Sequence, residues 1–358
     1  MNALPERLSR LIRQDVQSMH AYAVQDAAGM VKLDAMENPH RLPPHLQAEL
    51  GRRLGAVELN RYPGPRLDTL RQALAAHAGL PEGCALMLGN GSDELISLVA
   101  MACDVPGASI LAPLPGFVMY AMSAQLQGLG FVGVDLTPDF ELDEAAMLAA
   151  IDRHQPSIIY LAYPNNPTAK LWDDAVIERI VRAAPGLVVI DEAYQPFSSR
   201  SYIDRLAGQP HVLLMRTLSK FGLAGVRIGY MMGATALVAQ IDKVRPPYNV
   251  SVLNAEAALF ALEHAQVYEA QAADLRSERA RLQAALAQMP GVRAWPSDAN
   301  MILVRVPDAA SAFEGMKRHG VLVKNVSRMH PLLANCLRLT VGTTDENTRM
   351  LAALRESL

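Results

Sequence analysis

What this 358-residue chain has little of narrows the field first. It holds only three cysteines, Cys84, Cys103 and Cys336, odd in number, far apart and without metal-type spacing. They leave neither a disulfide framework nor a metal-ligand pattern, and read as free packing thiols in a reducing compartment. No charge sign dominates: 33 Lys+Arg against 36 Asp+Glu give a net charge of −3. With no basic run, neither nucleic acid nor an anionic membrane surface is an expected partner. The opening Met1-Asn2-Ala3-Leu4-Pro5-Glu6-Arg7 lacks the apolar core of a secretory signal, and no stretch reads as a bilayer-spanning helix, so a cytoplasmic location is expected. Repeats and low-complexity tracts are absent too. What remains is ample apolar material, 51% hydrophobic with 19% charged, enough for one large domain plus a smaller one.

The pattern along the chain predicts an α/β fold. After an N-terminal arm, prolines at 43, 44 and 65 open helices to about residue 54 and residue 78. Short β-rich runs follow at 85–88, 109–112, 131–135, 157–161, 187–191, 212–216 and 226–232, most of them separated by helical segments. Strands with little polar alternation, joined by helices, argue for a mostly parallel seven-stranded sheet covered by helices on both faces. Only a loop joins the last two runs, which predicts an antiparallel pair at an edge. Beyond Arg245-Pro246-Pro247-Tyr248 a long helical stretch over 251–289 leads to a smaller α+β unit. Its strands are expected at 299–306, 321–324 and 336–341, with a helix over 309–319 and a terminal helix. The division expected is an N-terminal arm, 1–40, packing with the small domain; a large domain, 41–250; and a small C-terminal domain, 251–358.

Four stretches carry chemistry-bearing residues. Thr217-Leu218-Ser219-Lys220 places a lysine among small residues and hydroxyls, with Arg227 seven positions on. An imine-forming lysine needs a tight, partly desolvated pocket and a nearby cation to release its proton. A surface lysine in a glycine-rich loop is the plainer alternative. Gly89-Asn90-Gly91-Ser92-Asp93 follows a predicted strand and opens a helix, where free N–H groups favour an anion such as phosphate. Equally, it can be a turn capped by Ser92 or Asp93. Tyr163-Pro164-Asn165-Asn166-Pro167-Thr168 lies past a strand end, where open α/β sheets bind ligands, or is a proline-stiffened turn. Asp191 ends a strongly apolar strand, as a counter-ion to a protonated heterocycle or as a cap, and Tyr194 follows three residues later.

Taken in order, these stretches resemble the pyridoxal-phosphate enzymes of the aspartate-aminotransferase fold, most closely the histidinol-phosphate aminotransferases. The likeness runs from about Met30 to Thr344, through Leu33-Asp34-Ala35-Met36-Glu37-Asn38-Pro39, Asn60-Arg61-Tyr62-Pro63, Gly91-Ser92-Asp93-Glu94, Asn165-Asn166-Pro167-Thr168, Asp191-Glu192-Ala193-Tyr194, Thr217-Leu218-Ser219-Lys220 and Cys336-Leu337-Arg338-Leu339-Thr340-Val341-Gly342. The resemblance implies pyridoxal 5'-phosphate as cofactor. Lys220 would bind it as an imine and move the proton, Asp191 would keep its ring nitrogen protonated, and Asn166 and Tyr194 would hydrogen-bond its ring oxygen. Phe117 would stack on the ring, where many relatives carry tyrosine. The phosphate would rest on Gly91 and the Ser92 and Asp93 backbone, with Thr217, Ser219 and Arg227. Arg338 would grip the substrate's anionic group, phosphate or carboxylate, with Lys324, Tyr22, Asn38 and Tyr62 completing the substrate site. Tyr62 would come from the neighbouring subunit, implying a homodimer with shared active sites.

The implied reaction is reversible transamination between L-histidinol phosphate and 2-oxoglutarate, giving imidazole acetol phosphate and L-glutamate, a step of histidine biosynthesis. Transamination of aromatic amino acids and decarboxylation of a phosphorylated amino acid are the rival chemistries. A ligand-sensing transcriptional regulator on this fold has no DNA-binding module in the short, unbasic arm. Besides Phe117, three departures from the family pattern stand out. Lys324 replaces a common second arginine, keeping its charge without its fork. Ala169 replaces a usual glycine, which is tolerable at negative φ. The Lys220–Arg227 spacing is one residue shorter than in many relatives.

Overall fold

Short runs of branched and aliphatic residues set the architecture. In Ile158-Ile159-Tyr160-Leu161-Ala162 every side chain is buried, which a strand achieves only inside a sheet covered on both faces. The computed structural model describes residues 6–19 and 25–358. The arm contributes α1 (Glu6–Ser9), α2 (Gln14–Ser18) and a short strand, β1 (Val31–Lys32). Next come α3 (Pro44–Gly55) and α4 (Pro65–Ala78), each opened by a proline that lacks the N–H a first turn cannot use. The strands β2 (Cys84–Gly89), β3 (Ser109–Leu114), β4 (Gly130–Asp135), β5 (Ile158–Ala162), β6 (Leu187–Asp191), β7 (Val212–Thr217) and β8 (Gly229–Ala234) then build the main sheet. Helices α5 (Ser92–Ala102), α6 (Val118–Gln127), α7 (Glu144–His154) and α8 (Asp174–Ala183) connect the first five of them.

The sheet order is β2-β8-β7-β6-β5-β3-β4. All neighbours run parallel except that β8 is antiparallel to both β7 and β2. The loop-joined pair is therefore antiparallel as expected, but β8 is not at an edge. β2, from far earlier in the chain, covers its outer side, a long-range pairing that leaves no local trace in an apolar run. Alternate residues divide between the faces. Leu88, Ile159, Ile190, Leu214 and Met232 pack on the side of α4, while Met87, Tyr160, Val189, Leu213 and Met231 pack on the side of α5 and α6. Each such side chain contributes about 1.5–3 kcal/mol by leaving water.

After α9 (Thr235–Ile241) the expected single helical stretch is broken at His264 (φ −113, ψ 30) into α10 (Val252–Glu263) and α11 (Ala265–Ala287). Ala255, Ala258, Leu259 and Ala261 of α10 belong to the core that also holds Leu70 and Leu74 of α4. The smaller unit comprises β9 (Arg293–Ala294), β10 (Met301–Arg305), α12 (Ala309–Arg318), β11 (Val321–Leu322), β12 (Lys324–Asn325), β13 (Cys336–Thr340) and α13 (Thr344–Glu356). Its antiparallel sheet has the order β12-β13-β10-β9, and β1 pairs in parallel with β11. Val31, Leu33 and Met36 share a core with Met301, Leu337 and Met350, and with Ala169, Tyr194 and Phe197.

Candidate functional site

The strand ends bring the chemistry-bearing residues to one edge of the main sheet. Gly89 and Thr217 both pair with Gly229, and Ala162 pairs with Asp191, so the loops after β2, β5, β6 and β7 open on the same side as the start of β8. A cavity of about 350 Å³ lies there, within the range of small-molecule sites. Ser92, Asp93, Phe117, Asn166, Asp191, Tyr194, Thr217, Ser219, Lys220 and Arg227 line it, whereas Gly91 is not among its lining residues.

One part of the cavity wall has the makings of an anion cradle. Gly91, not Ser92 or Asp93, is the cap of α5, and no side chain caps the helix, whose first amides therefore stay available. Gly91 has φ 82 and ψ 169, a conformation essentially confined to glycine. A Cβ there would lie 2.6 Å from Arg227 Nη2, and one at Gly229 would lie 2.7 Å from the Ser92 nitrogen. The cradle thus depends on the absence of side chains. Thr217 Oγ1 donates to Ser219 Oγ at 3.0 Å, and Arg227 Nη1 donates to the same hydroxyl at 3.3 Å. Arg227 Nη2 also reaches Asp93 Oδ2 at 3.3 Å.

Another part carries a lysine and a buried acid. Lys220 Nζ donates to the Ala35 carbonyl at 2.9 Å. Burial first, and the Arg338 charge second, lower its pKa from 10.5 to about 8, against a smaller opposing pull from Glu37. Asp191 Oδ2 accepts from Tyr120 Oη at 2.7 Å and Oδ1 from the Ala193 N–H at 3.0 Å, so it caps its own turn as well as facing the cavity. Burial raises its pKa from 3.8 to about 6, although both hydrogen bonds pull the other way. Burial likewise raises the Tyr194 phenol. Behind Asp191, Glu192 and Arg216 form a buried ion pair at 2.9 Å that fixes this strand end.

The substrate-site residues fare unequally. Arg338 does not itself line the cavity, but its Nη1 donates at 2.7 Å to Oδ1 of Asn166, which does, and its Nη2 donates to the Asp34 carbonyl at 2.7 Å. Lys324 pairs across the strands with Arg338 and so shares its face, but it does not line the cavity. Nor does Asn38, whose amide is engaged by Gln271 at 3.0 Å and by the His40 N–H at 2.9 Å. Tyr62 is 75% exposed and stacks on Tyr248, outside this chain's own cavity. Tyr22 lies outside the described residues. Ala169 has φ 59, so the negative φ under which an alanine is readily tolerated is not found there. This buried alanine holds a left-handed turn whose backbone amide donates to the Asn165 carbonyl at 2.8 Å.

Three participants escaped the sequence reading. Tyr120 follows Phe117 by three residues, one helical turn of α6, and that spacing was the available signal. The Ala35 carbonyl carried none, because any residue supplies one. Glu37 was visible only as part of a motif.

The donor set fits the cofactor that the resemblance implies: a helix start with hydroxyls and an arginine for a phosphate, a buried acid for a ring nitrogen, and a lysine of lowered pKa for a carbonyl. Among the described residues, no cluster of three His, Cys, Asp or Glu side chains could hold a metal ion, and no helix is long and apolar enough to cross a membrane. Comparison with known proteins agrees with the geometry. The histidinol-phosphate aminotransferase of Polaromonas naphthalenivorans is 72% identical over 360 residues, covering 100% of this chain and 99% of that protein. That of Methylibium petroleiphilum is 75% identical over 355 residues, covering 98% and 96%. The crystal structure of histidinol-phosphate aminotransferase from Sinorhizobium meliloti in complex with pyridoxal-5'-phosphate superposes with a TM-score of 0.84 at 25% identity, covering 97% of each chain. The family described as aminotransferase class I and II matches residues 28–354, and the chain belongs to that family.

Proposed function

We propose that this protein is a pyridoxal-phosphate-dependent transaminase that exchanges the amino group of L-histidinol phosphate with 2-oxoglutarate, giving imidazole acetol phosphate and L-glutamate in histidine biosynthesis. The observation that carries the chemistry is the convergence on one cavity of Lys220, the buried carboxyl of Asp191 and the Thr217, Ser219 and Arg227 cluster at the start of α5. Full-length identity of 72–75% to two histidinol-phosphate aminotransferases carries the substrate.

When bound, pyridoxal phosphate supplies a carbonyl carbon that takes the donor amine and a ring that delocalises electrons released from the substrate carbon. Thr217, Ser219, Arg227 and the α5 amides would hold its phosphate. Asp191, with its carboxylate oriented by Tyr120, would keep a proton on its ring nitrogen. Asn166 and Tyr194 would hydrogen-bond its ring oxygen, and Phe117 would stack on its ring. Lys220, its ammonium destabilised by burial and by Arg338, gives up a proton near neutral pH and serves at the substrate carbon as base and then acid. Arg338, already forked between Asn166 and the arm, clamps the phosphate of one substrate and a carboxylate of the other. Lys324, on the same face, adds a second positive charge for that phosphate.

The same reading makes the protein a cytoplasmic homodimer in which Tyr62 reaches the neighbouring subunit's site. Its exposure, beside exposed Leu59 and Tyr248, supports this. It also divides the chain into arm, large domain and small domain, and the packing of α10 against α4 favours a boundary nearer His264 than residue 250. The test is a donor panel for the loaded enzyme with 2-oxoglutarate as acceptor: histidinol phosphate, phenylalanine, tyrosine and phosphothreonine. Glutamate formed fastest from histidinol phosphate is expected. No transfer from it, or carbon dioxide released without consumption of the keto acid, refutes the reading.

A further inference from the structure

We propose that Glu37 recognises the donor's imidazole, accepting a hydrogen bond from a ring N–H; this rests on histidinol phosphate being the donor. Among the described residues the carboxylates lining the cavity are Glu37, Asp93 and Asp191. Asp191 is held by Tyr120 and the Ala193 amide, and Asp93 lies beside Arg227 at the anion cradle. Glu37 has neither post. It borders both this cavity and a second, outer one of about 600 Å³, which share Glu37, Ala224 and Gly225. It therefore stands where the cavity that holds Lys220 meets a second one, with room for a donor side chain.

The arm holds Glu37 in place from both sides. Met36, just before it, is a non-glycine residue in the left-handed region at φ 52, a conformation that persists only where the surroundings enforce it. Here the Met36 N–H donates to Thr340 Oγ1 at 3.2 Å, and Asn300 Nδ2 donates to the Met36 carbonyl at 3.0 Å. The two preceding carbonyls are taken by the site itself, Asp34 by Arg338 at 2.7 Å and Ala35 by Lys220 at 2.9 Å. On the outer side Lys32 Nζ lies 2.5 Å from Glu37 Oε2 and 3.1 Å from Asp34 Oδ1. One strap thus touches the anion-gripping arginine and the reacting lysine, and it presents a carboxylate next to both.

An imidazole N–H that leaves water needs an acceptor, and a carboxylate gives a charge-assisted bond. A site built around such an acceptor discriminates against a ring without the donor more strongly than an apolar pocket discriminates by shape. Binding the imidazole in this way leaves Arg338 and Lys220 to the groups that every donor of the reaction shares.

The test compares kcat/KM for histidinol phosphate with that for phenylalaninol phosphate, which has the same amine and phosphate and a ring without N–H. The holoenzyme, Glu37→Leu and Glu37→Gln are each assayed with 2-oxoglutarate, cofactor content being checked by visible absorbance. In Glu37→Leu the preference for histidinol phosphate is expected to fall about tenfold to a hundredfold. Glu37→Gln, which keeps an acceptor oxygen, should lose less. Equal losses on both donors would mean that Glu37 acts through Lys220 or through the fold, and would overturn the proposal, as would an unchanged preference. An unmodified enzyme inactive on histidinol phosphate would instead refute the functional reading beneath it.

Discussion

Replacing Asp191 with asparagine should stabilise the cofactor-free protein and disable the loaded one. In the folded chain the Asp191 carboxyl is raised from 3.8 to about 6, chiefly by burial. At about 1.36 kcal/mol per tenfold in protonation equilibrium, the ionised form is destabilised by about 3 kcal/mol relative to the unfolded chain. Because the folded state holds the proton more tightly, this group's contribution to stability is fully present below pH 3.8 and is lost as pH rises through about 6. Asparagine carries no charge to bury. Its carbonyl can accept from the Ala193 N–H, and its amide can donate to Tyr120 Oη. Urea unfolding of the cofactor-free proteins at one fixed concentration should therefore show Asp191→Asn more stable by about 3 kcal/mol at pH 7–8, with the difference vanishing near pH 4. In the loaded enzyme the sign reverses, because a cationic ring nitrogen would lose its counter-ion. Cofactor should remain bound while kcat falls about a hundredfold or more. A variant destabilised equally at every pH, or one that keeps most of its activity, would refute both the electrostatic account and the role proposed for Asp191.

Lys220→Ala should abolish the visible absorbance of lysine-bound cofactor and its fixation by borohydride, and a cofactor still fixed to the protein would point to another lysine. Tyr120→Phe removes a 2.7 Å hydrogen bond to the Asp191 carboxylate, worth about 1.5–3 kcal/mol. Since that bond favours the ionised acid, the acidic limb of the kcat/KM profile should move up by about 1–2 pH units, and an unmoved limb would show that Tyr120 only packs. Gly91→Ala forces an alanine into φ 82 with its Cβ 2.6 Å from Arg227, so cofactor affinity, followed by absorbance titration, should fall about tenfold or more. Unaltered binding would remove Gly91 from the cradle.

The parts of the site legible in advance share a physical character. Thr217, Ser219, Lys220 and Arg227 are close in sequence and combine small, hydroxylated and basic residues in a pattern that few structural needs produce. Asp191 ends an apolar strand, where an acid is conspicuous because burying it is costly. The hidden parts depend on contact. Tyr120 is one aromatic among several until it is seen to donate to Asp191, and Ala169 shows its left-handed φ only once Asn165 has closed the turn. The break at His264 was equally hidden, because Ala- and Gln-rich sequence favours helix on both sides of it.

Residue order alone carried the seven strands and the helices between them, since apolar runs are local properties, and it carried the motifs on which the resemblance rests. Folding decided what locality cannot: that β8 lies inside the sheet with β2 beyond it, and that Arg338 meets Asn166 across 172 positions of chain. It decided too that Lys220 comes under the Ala35 carbonyl, where burial and Arg338 lower its pKa to about 8. Desolvation and the field of distant charges exist only when remote segments pack together. The lysine proposed to act could thus be picked out from the chain, whereas the lowering of its pKa arises from the fold.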